Sequence, residues 1–362
     1  MKAATHIALG IALTLEYMTG CEKAPELPPE VAASRTLDTA YVEVAPSFGG
    51  FTNPQDVMVG RDQLLYVADT HAPINGQDHG RVVMMNLAGF QLSERSILHP
   101  VSLGQDSRLD LLVGGEIVAS NGDTVGALFR IHLVSNSPDS AHRLDLSRMD
   151  TVWTENAHPQ RRFPGITVLP DNTWLAARAG TDNSSPIDPD ARVVEFGPGD
   201  AFINFLPAFI TGGQSPVSIN IPTGIASIPP TNDFVLTQSA QGVSYAALWM
   251  QYRQDPEFEG WVTKYDPTNP IDFFRVGRYV QPEAVTIDKG RRDIFIADAA
   301  LDSVFKYNSR GVLKAESFGL AGSGGVMKRP TGLAFFNRML YVLDAQEGQV
   351  IRFILTTDIV QQ

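Results

Sequence analysis

"NPQDVMVGRDQLLYVADT" (Asn53–Thr70) carries the pattern on which the whole chain is built. A proline opens a short alternating run, a polar turn follows, and an apolar, aromatic run ends in aspartate. Period-two alternation rich in Val, Leu and Tyr and bounded by Pro, Gly and Asp is what a pair of antiparallel strands with a tight turn requires. The same line returns as "QPEAVTIDKGRRDIFIADA" (Gln281–Ala299) and "RPTGLAFFNRMLYVLDA" (Arg329–Ala345). A third strand follows each copy: "GRVVMMN" from Gly80, "DSVFKYN" from Asp302 and "GQVIRFI" from Gly348. Pro100, Pro164 and Pro222 open three further copies, which keep the strands and lose the aspartate.

Six copies of one supersecondary unit predict an all-β, six-bladed propeller, with blades starting near 54, 100, 164, 222, 282 and 330. The three clear copies resemble the NHL repeat, which implies a propeller of the NHL or TolB-like kind. The last blade runs out of chain after its third strand, which would leave an unpaired edge. "TAYVEVA" (Thr39–Ala45) is the one unassigned strand-like segment and is predicted to supply that missing outer strand. "SYAALWMQYRQ" (Ser244–Gln254) reads as an inserted helix, with "GWVTKYD" from Gly260 as the third strand of the fourth blade.

With 362 residues, 43% of them apolar, the chain can bury a large core as one domain over residues 38–362. Its formal net charge of −12 argues against nucleic acid, which needs a basic surface. The start has a different character. Met1–His6 carries a lysine, Ile7–Leu15 is a short apolar core, and "MTGC" closes with small residues before Cys21, the single cysteine. This resembles a bacterial lipobox, which implies a signal peptide over residues 1–20 and a lipidated Cys21. "EKAPELPPEVAAS" (Glu22–Ser34), rich in Pro, Glu and Ala, then reads as an extended tether within residues 21–37. The expected location is the bacterial cell envelope, held to a membrane through the lipid alone.

In a propeller the starts of the inner strands and the ends of the second strands share one face around the central channel. That face is expected to collect Gln55, Thr223, Glu283 and Thr331 after the prolines, and Asp69, Arg178, Gln238, Asp298 and Asp344 at the strand ends. It also receives the longest insertions: 70–80, 180–191 and 239–259. Loops on a rigid scaffold concentrate binding residues, so the site is placed there. Asp69, Asp298 and Asp344 have a plain structural reading as turn caps. Arg178 is a candidate ion partner for Glu283 across the channel. The loop with Asp182, Asn183, Asp188 and Asp190 reads as a solvated turn, and Tyr245, Trp249 and Tyr252 are candidate partner contacts that could equally pack as core.

Two families with related propellers bear on catalysis. Gluconolactonase-like hydrolases hold a divalent metal with Glu, Asn and Asp, and the resemblance would place Glu283, with Asp56 or Asp298, near such an ion. Peptide-amidating lyases use histidines on zinc, but here blades four to six supply none, and of the six beyond residues 1–20, all in the first half, His71, His79, His99 and His158 offer at most a lopsided site. No nucleophile elbow, phosphate loop or His-Glu-x-x-His helix is present. The expectation is a non-catalytic binding or scaffold module for a protein or carbohydrate, without a cofactor. The alternative is a metal-dependent hydrolase or lyase using calcium or zinc at the channel mouth.

Overall fold

The computed structural model describes residues 39–70, 80–134, 143–239, 242, 244–319 and 326–359. Cys21 and the tether, His71, His79 and most of the 70–80 insertion lie outside the described residues. Six antiparallel sheets stand in a ring as a six-bladed β-propeller. Their inner strands are Pro54–Val59, Leu98–Gln105, Arg162–Val168, Pro222–Ser227, Pro282–Ile287 and Pro330–Phe336, each packed on the next and the last on the first. Among the described residues no helix is long and apolar enough to cross a membrane.

Every inner strand carries a register shift at its start, just after the proline in blades one, four, five and six. Proline has no amide to give the ladder, so it sits where pairing begins and the bulge takes up the extra residue. Each blade then contributes apolar side chains to both of its neighbours. Tyr66, Val82, Leu111 and Phe129 fill the space between blades one and two; Ala284, Phe295, Val342 and Phe353 do so between five and six. The core is thus six interfaces arranged radially rather than one centre.

Closure follows the sequence expectation. Tyr41–Glu43 pairs with Gln349–Leu355 as the outer strand of blade six, with Tyr41 opposite Leu355 and Glu43 opposite Phe353. Phe48–Gly49 adds a second short pairing to the same strand. Blade five has three strands, and its exposed side is finished by the bridge between Val304 and Phe318.

The expected helix at Ser244–Gln254 is instead the third strand of blade four, Ala247–Asp255, and Phe258–Thr263 is the fourth. Ala247, Leu248, Trp249 and Met250 are all buried, because this stretch is packed on both faces. Leu248 and Met250 join blade three, while Ala247 and Trp249 join blade five. A strand buried on both faces loses the period of two and reads as an unbroken apolar run, which a helix also gives. Beyond Met250 the strand outruns its partner and forms a projecting hairpin with its tip at Asp255–Phe258.

Candidate functional site

The inner strands enclose a central channel of about 320 Å³. Gln55, Thr223, Glu283 and Thr331 line it, together with Asp56 and Arg162. At the opposite mouth stand Arg61, Gln105, Ser227 and Lys289. Polar side chains therefore mark both ends, with Val57, Leu103, Ile166, Ile225, Val285 and Leu333 between them.

The strand-end residues do not face the channel. Asp69 is fully buried and accepts the amides of Thr52 (3.0 Å) and Asn53 (2.9 Å) while pairing with Arg81 (3.1 Å). Asp298 accepts Val280 and Gln281, and Asp344 accepts Lys328, Gln346 and Glu347. Gln238 does the same work in blade four: its Oε1 accepts the Asn220 amide and its Nε2 donates to the Ser218 and Tyr245 carbonyls. These side chains hold the incoming connection onto its blade. A buried carboxylate or amide whose polar atoms are committed to groups of its own blade is not available to a ligand.

Arg178, the blade-three counterpart, is also internal and pairs not with Glu283 but with Glu155 (3.0 Å) and Asp188 (2.9 Å). Arg161, 2% exposed, joins the same cluster through Asp190 (2.7 Å), Asp188 (2.9 Å) and Glu155 (3.2 Å). Burial raises the carboxyls of Asp188 and Asp190, yet the arginine partners hold both below their ordinary value. The 180–191 loop is therefore pinned to the blade by ion pairs and is not a solvated turn. Asn183 adds a cap on the Ala191 amide (2.8 Å).

The rim threonines are partly structural. Thr223 Oγ1 donates to the Pro282 carbonyl (2.7 Å) and Thr331 Oγ1 to that of Pro54 (3.4 Å), each stitching its blade to the next. Glu283 is different. Burial raises its carboxyl above the usual range, and the only hydrogen bond to its side chain among the described residues comes from Gln281 Nε2 (2.5 Å). Gln55 Nε2 donates to Asn53 Oδ1 (2.8 Å), so it too is held at the rim by a neighbour. Across the mouth, Arg162 and His99 both pair with the largely buried Glu116. This rim cluster is invisible in the repeat because His99 and Arg162 precede their prolines, outside the aligned positions.

Asp56 lies one residue further along the first inner strand. Its oxygens accept the amides of Val57 (2.8 Å) and, across the blade boundary, Leu103 (2.8 Å). The matching residues in blades three to six are Gly165, Gly224, Ala284 and Gly332, where neighbouring strands come closest, and in blade two Ser102, whose hydroxyl donates to the Phe163 carbonyl (2.6 Å). A Cβ on Gly224 would sit 3.1 Å from the Glu283 carbonyl oxygen. Blade one bridges that boundary with a carboxylate instead. Lining the channel deep in the ring, Asp56 is raised by burial to about 7, against the lowering effect of the two amides.

The sign of the linkage follows. Between the ordinary carboxyl value near 4 and about 7, the unfolded chain ionises Asp56 and the folded chain does not. Stability from this group is complete below about 4, falls as the pH rises, and levels off above 7, a change on the order of 4 kcal/mol. Urea unfolding of wild type and Asp56→Asn from pH 5 to pH 8 checks it. The variant is expected to gain on wild type as the pH rises; a gap that stays constant would refute the assignment.

The metal candidates do not converge. Asp298 is committed to amides within its blade, Asp56 to amides along the channel wall, and Glu283 to Gln281. Among the described residues no three His, Cys, Asp or Glu side chains are grouped to hold a metal ion. His99 and His158 have separate acidic neighbours, Glu116 and Asp188. Of the aromatic candidates, Trp249 is 2% exposed and packs on Phe273, with Lys264 Nζ 3.5 Å from its ring centre. Tyr245 packs on Tyr265 and Tyr252 on Trp261. They are core and near-core residues, and Trp249 is no surface contact.

No family model and no curated protein matches this chain in sequence. Solved structures match it in fold. A glucose dehydrogenase aligns over 87% of this chain and 99% of its own, at 14% identity and a TM-score of 0.58. An auxiliary nutrient binding protein from Bacteroides thetaiotaomicron aligns over 84% and 70%, at 10% identity and 0.57. A gluconolactonase from Xanthomonas campestris aligns over 91% and 94%, at 12% identity and 0.52. At such identities the likeness is one of fold.

Proposed function

We propose that this six-bladed propeller is a non-catalytic binding module of a bacterial cell envelope, of the NHL-repeat type, anchored by a lipid on Cys21, and that its channel mouth takes a small carbohydrate. The observation that carries the reading is the channel itself. It is of ligand size and presents both polar and apolar inner-strand groups, with Glu283, Gln55 and Arg162 as polar groups at one rim. A carboxylate, an amide and a guanidinium suit a ligand rich in hydroxyls, since together they offer both donors and acceptors. A nutrient-binding protein and two sugar-handling enzymes among the fold neighbours agree with this class of ligand.

Glu283 also supports a second reading, a metal-dependent lactone hydrolase, because its resemblance to the post-proline glutamate of gluconolactonase-like enzymes is accompanied by a position in the channel. One experiment separates the two. Purified protein never exposed to chelator is analysed for calcium and zinc by elemental mass spectrometry, then titrated calorimetrically with mono- and oligosaccharides and assayed on sugar lactones. A binding module shows saccharide binding without turnover, weakened roughly tenfold or more by Glu283→Ala, as expected for one charge-assisted hydrogen bond. Stoichiometric metal and lactone turnover, both lost in Glu283→Ala, would overturn it in favour of the hydrolase.

A further inference from the structure

We propose that the face opposite the insertions rests on an anionic phospholipid surface, over blades five, six and one. The inference rests on the reading of Cys21 as a lipid anchor, and three observations about this face support it. The first is charge. Its turns present Arg61 in blade one, Lys289, Arg291, Arg292 and Arg310 in blade five, and Arg338 in blade six, all exposed. Most carboxylates of the same region are turned inward or paired, and the half-exposed Asp272 is held by the Leu313 amide (3.1 Å) and Arg278 (3.7 Å). Asp62 accepts Tyr66 Oη (2.7 Å) and Gln105 Nε2 (2.8 Å), Asp288 accepts the Gly290 amide (2.8 Å), Asp293 pairs with Lys306 (3.2 Å) and Asp358 with Arg291 (3.1 Å). A chain of net charge −12 thus shows a cationic crescent on one side of one face.

The second observation is apolar. Phe90 is 69% and Leu92 53% exposed in the outer turn of blade one, and Val312 and Ile359 stand exposed beside the same crescent in blades five and six. Single exposed apolar residues are ordinary. Set among cations on one face, they match what a phospholipid interface binds: basic groups at the headgroups and apolar tips in the acyl boundary.

The third is connectivity. Tyr41 pairs with Leu355, the end of a strand running away from the insertions, so the chain enters the propeller at the cationic face, beside blades five and six. Residues 22–38 span at most about 60 Å when fully extended, and about 53 Å as a proline-rich linker. The shortest path from the anchor therefore brings this face to the lipid, and the cationic crescent holds it there. The hairpin of blade four belongs to the 239–259 stretch expected on the insertion face, but its strand runs back from that face, so its tip projects here instead, with Asp255, Glu257 and Glu259 exposed. Its repulsion from anionic lipid tilts the contact toward blades five, six and one, the side on which the chain enters.

The test uses the full chain as the cell makes it, carrying Phe90→Trp, reconstituted into vesicles with brominated acyl chains. One set is phosphatidylcholine alone and the other contains phosphatidylglycerol. The added tryptophan fluorescence is expected to be quenched on the phosphatidylglycerol vesicles, and the quenching to be lost in high salt and in the triple variant Arg61→Glu, Lys289→Glu, Arg310→Glu. Equal quenching on neutral vesicles, or none on either, overturns the proposal. Circular dichroism of the triple variant confirms that it is folded. The intact mass of the same preparation reports Cys21 separately: an acylated chain without quenching refutes the docking face and leaves the anchor. Quenching by a chain with unmodified Cys21 refutes the anchor and leaves the face.

Discussion

Removal of residues 38–46 is expected to lower the unfolding free energy of the whole ring by about 5 kcal/mol, most of the stability of a typical domain at the low end of the usual range. The segment supplies the ladder from Tyr41 to Glu43 against Gln349–Leu355, extended by the Val44 amide to the Arg352 carbonyl (2.8 Å) and the Thr356 amide to the Ala40 carbonyl (2.9 Å). Each such bond contributes roughly 1 kcal/mol. Tyr41 adds packing at the boundary of blades five and six, its ring 5.2 Å from Phe318 and 6.0 Å from Phe295, edge-on to the latter. Burial of an aromatic side chain contributes about 2–3 kcal/mol more. Without the segment the Gln349–Leu355 strand becomes an open edge and blade five loses a cover that its three strands do not provide. Denaturant midpoints of the deletion and of Tyr41→Ala measure the effect. The single substitution should lose about half as much, and an unchanged midpoint in the deletion would sink the closure account.

Glu155→Gln is expected to destabilise by about 3–5 kcal/mol, whereas Glu283→Gln leaves the melting temperature unchanged or slightly raised. Glu155 is buried, and its two oxygens face two buried guanidinia, Arg178 at 3.0 Å and Arg161 at 3.2 Å, while Trp153 Nε1 donates to it at 3.0 Å. Removing one partner of a buried ion cluster leaves the opposite charge without compensation, which is costly in a poorly solvated place. Glu283 faces the channel with no cationic partner in contact, and burial already disfavours its charge. Calorimetric melting of the two variants decides between this arrangement and a pairing of Arg178 with Glu283, for which both should lose stability alike. Limited proteolysis within 180–191 should also speed up in Glu155→Gln, because the loop is tied down through Asp188 and Asp190 to the same two arginines.

The recurring proline, alternation and terminal aspartate determined the propeller, its six blades and its closing strand. Those features report local backbone requirements: where a ladder begins, which side chains face a neighbouring blade, and what caps a turn. They offered two roles for Asp69, Asp298 and Asp344, binding at the channel mouth or capping, and the structure selects the cap, since a carboxylate repeated in register serves a position in the repeat. The third strand of blade four was misread because packing on both faces erases its period. The repeat placed Gln55, Thr223 and Thr331 in the channel with Glu283, whereas the arrival of Arg162 and the inward turn of Arg178 were decided by tertiary structure alone. Arg162 and Asp56 reach the same cavity from blades three and one, and Arg178 turns into its own blade because Glu155 and Asp188 wait there. Periodicity records each strand's relation to its own sheet, while the ring brings side chains together from strands far apart in the chain, and that convergence leaves no local trace in the sequence.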